Sequence, residues 1–159
     1  MKKILIAIMA IFAYVLIADS AMALSDTGTL DVTASVAASC RVTGTTDVAF
    51  GAYDPTDPVD NSAGAGDFSF RCVKDTAFTL DIARTGDMTD GTDLLAYTLY
   101  SNGARTVAWA NGVPSADPAG ESPAASNAVK TRGVYGKIAA LQDVQVGAYT
   151  ETVTVTVTY

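Results

Sequence analysis

The sequence predicts an all-β sandwich of immunoglobulin-like kind. Three observations predict it. Several short stretches alternate apolar and polar residues with a period of two, the pattern of half-buried strands. Gly, Pro, Asn and Asp punctuate them at short intervals. No convincing amphipathic helix and no internal repeat of 20–50 residues interrupts the series. The Cys–Trp–Cys order of antibody domains is absent, because Trp109 follows both Cys40 and Cys72.

The first residues read as a leader rather than as part of the fold. Lys2 and Lys3 form a positive start, residues 4–17 are apolar, and Ala21, Met22 and Ala23 form an A-x-A cleavage site. The run is about 14 residues, short of the ~20 needed to span a bilayer. Residues 1–23 are therefore read as a cleaved signal peptide. The mature chain of about 136 residues is enough for one domain with a real core. No second apolar span follows, so an exported protein without membrane insertion is expected.

Charge narrows the partners. The whole chain carries a net charge of −7. Losing Lys2, Lys3 and Asp19 leaves 8 basic and 16 acidic residues, a net −8. With no basic cluster, the domain is not expected to bind nucleic acid or an anionic membrane surface.

Two cysteines in an exported chain read as a disulfide, Cys40–Cys72. It would close a loop of about 33 residues, worth on the order of 3–4 kcal/mol. A metal or redox site is disfavoured, since the chain has no CxxC and no histidine.

Taken in order, residues 27–36 place Leu30, Val32, Ala34 and Val36 on one face, against Asp31, Thr33 and Ser35. Ala34 is small where the alternation favours a larger apolar side chain. A shallow pocket that eases exchange and a weakened arm are both readings of it. This strand pattern runs on into 37–43 with no turn signal before Gly44. Residues 47–53 form a short strand with Val48 and Phe50, and 54–66 a loop. Residues 66–73 put Phe68, Phe70 and Cys72 on one face, which points the disulfide into the core. Residues 77–84 put Phe78, Leu80 and Ile82 on one face, and 85–93 read as a polar turn region.

Residues 94–100 and 105–110 flank Asn102-Gly103, a strong hairpin signal, with Leu95, Tyr97 and Leu99 facing the core. Residues 111–127, rich in Gly, Pro, Ala and Ser, read as a long mobile loop. Residues 129–141 are a strand candidate broken by Gly133 and Gly136, and 142–148 lead into the last strand. That strand, 149–159, places Val153, Val155, Val157 and Tyr159 on one face and threonines on the other. No turn or partner strand follows it, so it needs a neighbour or leaves an unpaired edge.

Several stretches together resemble a known family. They are TGTLDVTASV leading to Cys40, FGAYDP at 50–55, and Cys72 in its strand. AYTLYSNGARTVAW at 96–109, VYGKI at 134–138 and GAYTETVTVTVTY at 147–159 complete the set. The chain resembles the spore coat protein U domain, the domain of pilus subunits in the archaic chaperone–usher pathway, over nearly the whole mature length. The resemblance implies an incomplete immunoglobulin-like sandwich lacking its last strand, over 37–159. It implies a donor-strand arm, over 24–36, given to a neighbour. The implied partners are a periplasmic chaperone, an outer-membrane usher and neighbouring subunits, with transit through the periplasm to a pilus on the cell surface.

The two ends agree with that implication. A groove along the last strand invites strand addition, in which backbone bonds give affinity and alternate side chains fill pockets. Leu30, Val32, Ala34 and Val36 are the donor residues, and Val153, Val155, Val157 and Tyr159 the edge of the acceptor groove. Burying a Leu and two Val is worth roughly 1.5–3 kcal/mol each, and each ladder bond about 1. With no turn before the first strand, the arm is expected to reach a neighbour rather than fold back. Such head-to-tail contacts give a fibre.

Other chemistries have weaker signals. Asp54, Asp57, Asp60 and Asn61 offer oxygen ligands for calcium, but without EF-hand spacing they read as an acidic turn. Asp87, Asp90 and Asp93 suggest carboxylate pairs, but no nucleophile or base stands near. Trp109, Tyr97 and Tyr100 suggest a sugar-stacking face, but such aromatics are more often core. Neither catalysis nor a cofactor is expected. A fibre-tip adhesin or lectin-like module, and a secreted coat protein assembled without chaperone or usher, are the competing functions.

Overall fold

The structure, a computed structural model, describes residues 24–159; the signal-peptide reading of 1–23 lies outside them. The chain divides into two units, Met1–Ser35 and Val36–Tyr159. In the first, residues 24–35 form no strand, and Leu30 and Val32 are exposed. The strand expected over 27–36 is thus not formed here. An extended segment is a strand only when a ladder partner takes up its backbone groups.

The second unit is all antiparallel β. Its strands are β1 (Cys40–Ala49), β2 (Ala65–Cys72), β3 (Thr79–Ala83), β4 (Met88–Thr89), β5 (Leu94–Leu95), β6 (Tyr97–Tyr100), β7 (Lys130–Ile138) and β8 (Thr154–Thr158). One sheet has the order β1-β2-β7-β6, a second pairs β3 with β8, and β4 and β5 form a small ribbon.

The alternation read from the sequence sorts the side chains as expected. Phe68, Phe70 and Cys72 of β2, Leu80 and Ile82 of β3, Leu95 of β5, and Tyr97 and Leu99 of β6 are all buried. They meet Phe78, Trp109, Val134 and Ile138 in one core. Aromatic edges and faces interlock within it: Phe70 meets Phe78 at 5.1 Å and Phe68 meets Trp109 at 6.2 Å.

The structure corrects four local readings. Residues 40–49 are one strand rather than two, and Gly44 marks a β-bulge in it, not a turn. Strand β7 runs unbroken through Gly133 and Gly136. The expected hairpin has no second regular strand. Trp109 N–H donates to Leu99 O at 2.9 Å and Ser101 N–H to Val107 O at 2.9 Å, and the chain turns through 102–106. Asn102 shapes that turn with its side chain, accepting from the N–H groups of Thr106 and Val107, while Arg105 takes the positive φ of 54°.

The fourth correction concerns residues 111–127, which are irregular but fastened. Ser115 exchanges backbone bonds with Leu80 at 2.8 and 3.0 Å, and Ala124 N–H donates to Thr76 O at 2.9 Å. The Ser122 hydroxyl accepts from Phe78 N–H at 2.9 Å and donates to Phe78 O at 2.8 Å. The segment therefore lies along the edge of β3 that β8 leaves open.

A buried ion pair ties this segment to the other sheet. Arg132 sits at an inward position of β7, in phase with Val134 and Ile138. Its guanidinium donates to both oxygens of Asp117, at 2.5 and 2.7 Å, and to Glu121 at 2.5 Å. It lies 5.6 Å over the Phe70 ring. Burial pushes the Asp117 carboxyl up, but the Arg132 hydrogen bond and the N–H groups of Glu121 and Ala119 outweigh it and hold the group below its ordinary range.

Candidate interaction groove

Strand β8 follows from five alternating β-branched residues, and its register on β3 fixes which face is inward. Val157 lies opposite Leu80 and Val155 opposite Ile82, with Thr154, Thr156 and Thr158 outward. Val153, Val155 and Val157 are only half-buried, whereas Ile82 and Leu80, the β3 partners of Val155 and Val157, are fully buried. Tyr159, at the end of the same face, is 60% exposed. The apolar face of β8 thus lacks cover on one side.

The backbone agrees. β8 pairs with β3 along one edge, and among the described residues no strand pairs with the other. β1 likewise pairs with β2 alone. A groove opens beside these two edges in two parts that share lining residues; β8 contributes Val155 to the first, the second is walled mostly by the segments that follow β1 and precede β8, and Val157 and Tyr159 line neither. One part, about 440 Å³, lies between Thr45–Val48 and Thr150–Val155 over Phe68, Ile82, Leu99 and Val134. The other, about 610 Å³, lies between 48–53 and 144–149 over Leu95 and Ile138. Val48, Phe50, Met88 and Tyr149 line both parts. The walls run antiparallel, since rising numbers on the β1 side face falling numbers on the other.

Two glycines set the floor at that junction. A Cβ on Gly64 would lie 2.6 Å from the Phe50 ring, and one on Gly136 only 2.3 Å from it. Their lack of side chains lets the ring lie against the sheet, edge-on to Tyr97 at 6.1 Å. The glycines expected to break β7 instead make room for an aromatic residue.

The wall before β8 is held by hydrogen bonds. Thr150 and Thr89 exchange backbone bonds of 3.0 Å. Glu151 accepts from the Tyr97 hydroxyl, from Gly86 N–H at 2.9 Å and from the Thr85 hydroxyl at 3.2 Å. Desolvation pushes the Glu151 carboxyl up, but these bonds outweigh it and hold the group below its ordinary range. Burial and the Glu151 carboxylate push the Tyr97 phenol up, and the Arg84 guanidinium lies 4.9 Å over its ring.

The Cys40–Cys72 disulfide joins directly paired residues of β1 and β2, at the start of β1. It ties the first strand of the sandwich to the core at the point where the chain leaves residues 24–39.

The remaining candidates separate. Asp54, Asp57 and Asn61 accept from backbone N–H groups two residues on, and Asp60 from Ala140 N–H and Lys137. Among the described residues no group of three acidic, His or Cys side chains is placed to hold a metal. Asp90 caps its own turn and accepts from Gln145, while Asp93 accepts from Gln145 N–H. They hold residues 142–148, one wall of the larger part of the groove. Trp109 and Tyr97 are buried in the core and form no open stacking face with Tyr100.

Sequence reading missed the place of Phe50 in the groove floor and the Arg132–Asp117 pair. A signal for the second existed: a charged residue in phase with the buried face of a strand requires a buried partner.

No curated protein matches the chain. Among solved structures it resembles a chain in the CsuC–CsuE chaperone–tip adhesion subunit pre-assembly complex from the archaic chaperone–usher Csu pili of Acinetobacter baumannii. The TM-score is 0.51 with 20% identity, over 78% of this chain and 40% of that one. The likeness is one of fold, an immunoglobulin-like sandwich, and this chain spans less than half of that longer chain. The family model of the Spore Coat Protein U domain matches residues 26–156. With that match covering most of its length, the chain belongs to the spore coat protein U domain family.

Proposed function

We propose that the chain is a structural subunit of a cell-surface pilus, assembled by donor-strand complementation and exchange through the chaperone–usher pathway, and that the fibre serves adhesion and biofilm formation. One observation carries the reading: two free strand edges stand beside an apolar groove, in a chain that also carries an exposed alternating segment. Membership of the family and a fold like that of a chaperone-bound pilus subunit support it.

In this reading a periplasmic chaperone first lends a strand to the groove. An outer-membrane usher then passes the subunit outward, and the arm of the next subunit replaces the chaperone strand. The arm supplies Leu30, Val32, Ala34 and Val36; the groove receives them beside Val153, Val155, Val157 and Tyr159. Leu30, Val32 and Val36 are 88%, 89% and 82% exposed, so docking removes most of their surface from water. Each is worth roughly 1.5–3 kcal/mol when buried, before the cost of ordering the arm. Thirteen extended residues reach about 43 Å, ample to line the groove. An open groove left unfilled is an aggregation hazard, which explains a chaperone. The reading assigns no catalysis, cofactor or metal to the chain.

Deleting residues 24–36 tests it. Subunits should still reach the periplasm and bind the chaperone, but fibres should be lost. Fibres at normal yield without the arm would overturn the proposal.

A further inference from the structure

The fold gathers positive charge that the sequence scatters. Of the 8 basic residues in 24–159, most are engaged within the chain. Arg132 and Lys137 form ion pairs, and Arg84, Arg105 and Lys130 donate to backbone carbonyls. Arg41, Arg71 and Lys74 are exposed and, among the described residues, form no ion pair. All three lie at one end of the sandwich, where β1 starts and β2 finishes. Arg41 and Arg71 are direct partners in the β1–β2 register, on the face of β2 away from Phe70 and Cys72. Two like charges thus stand side by side, an arrangement that costs stability. Lys74 follows in the turn after β2, with Asp75 as its neighbour.

The other end carries the opposite sign. Where β1 and β7 finish, Asp54, Asp57 and Asp143 are exposed and pair with no cation among the described residues. Asp90 and Asp93 lie on the same side as Asp143, through their bonds to Gln145. These carboxylates flank the larger part of the groove, whose walls are 48–53 and 144–149. The ten residues of β1 hold the two ends about 33 Å apart. That is about four Debye lengths at physiological salt, so the two sets of charges do not neutralise each other within one chain.

We propose that the Arg41–Arg71 pair, with Lys74, docks on the acidic end of a second copy of this chain, against Asp57 and Asp143. The inference rests on the donor-strand reading and goes beyond it by naming an ionic contact between domains, outside both arm and groove. Charge complementarity selects the occupant. Carboxylates arriving between the two guanidiniums relieve their repulsion, and the end of the chain that lacks cations supplies them. The tether makes the contact effective. Arg41 stands five residues after Val36, about 17 Å of extended chain, so an arm held by a neighbour keeps the basic end close to that neighbour. Exposed ion pairs are weak one at a time, but a tether raises their effective concentration and several form together. A uniformly anionic surface fits less well, because Asp75 and the net negative charge of the domain oppose it.

Assembly of the purified chain, followed by light scattering at about 20 and 500 mM salt, tests the contact. Arg41→Glu with Arg71→Glu should slow assembly at least about tenfold at low salt, and so should Asp57→Lys with Asp143→Lys. Salt should slow the parent and neither variant. A chain carrying all four changes exchanges the charges of the two ends and should assemble within about threefold of the parent. Either double variant serves if the other does not fold. Parent rates in the double variants, or a charge-exchanged chain no faster than they are, would overturn the contact. So would normal assembly of Arg41→Glu with Arg71→Glu alongside lost binding to vesicles of anionic lipid, which would assign the pair to a membrane. A chain without residues 24–36 separates this inference from the reading beneath it. If that chain stays monomeric while the double variants assemble at the parent rate, the contact alone fails. If it assembles like the parent, or the parent stays monomeric at both salt levels, the donor-strand reading fails and takes the contact with it.

Discussion

Replacing Asp117 by Ala removes the central partner of a buried charge. The Asp117 side chain is 1% exposed and that of Arg132 8%, so water cannot substitute for the lost carboxylate. The variant loses both bonds from the guanidinium and leaves the N–H groups of Glu121 and Ala119 without their acceptor. Glu121 remains beside Arg132, but its side chain is 51% exposed and compensates weakly. Breaking a buried pair by removing one partner costs about 3–5 kcal/mol, and the surviving Glu121 contact places the expected loss near the lower end. That is a large share of the ~5–15 kcal/mol stability of an ordinary domain. Urea denaturation gives the loss, and hydrogen exchange should show residues 111–127 released from β3. Glu121→Gln, the control, should cost under about 1 kcal/mol. A loss below 1 kcal/mol in Asp117→Ala, with unchanged exchange over 111–127, would refute the reasoning that this ion pair fastens the segment.

Acid should destabilise the chain through the same groups. Asp117 and Glu151 both have carboxyls held below their ordinary values, so the unfolded chain binds more protons than the folded one. Their contribution is present above the unfolded values near ~4 and is lost as pH falls through the lower folded ones. Denaturation midpoints should therefore hold from pH 7 to about 5 and drop toward pH 3, less steeply in Asp117→Asn; equal midpoints at pH 7 and 3 would contradict this. Substituting Cys40 and Cys72 by Ser together should cost about 3–4 kcal/mol, from the loop closed by their separation of 32 residues. An unchanged denaturation midpoint in that variant would show that the crosslink does not constrain the unfolded chain.

Much of the fold was legible because strand alternation is a local property. Phe68, Phe70 and Cys72, or Leu80 and Ile82, share a face whatever the rest of the chain does, and burial of that face follows. Turns were less legible. Asn102-Gly103 carries a two-residue hairpin signal, yet the Asn102 side chain closes a wider turn that depends on where Val107 and Trp109 find partners. Gly133 and Gly136 read as breaks because sequence shows only the missing side chain. In the sheet, the place vacated by the Gly136 side chain is filled by Phe50, 86 residues earlier.

Residues 111–127 show the same limit from the other side. Their composition is that of a mobile loop, but Asp117 and Arg132 lie on different elements and only folding brings them within 2.5 Å. A pair of charges has no local signature until both are removed from water.

The sequence by itself determined which residues face inward on β2, β3 and β6, the cysteine pair and the alternating patterns at both ends, because each rests on period or composition alone. Only the tertiary structure decided that the free edges of β1 and β8 border one groove, that Phe50 lies in its floor, and that a polar loop is anchored through a buried charge. Those depend on contacts between residues far apart in the chain, and the energy of such contacts exists only once the sheets have closed over them.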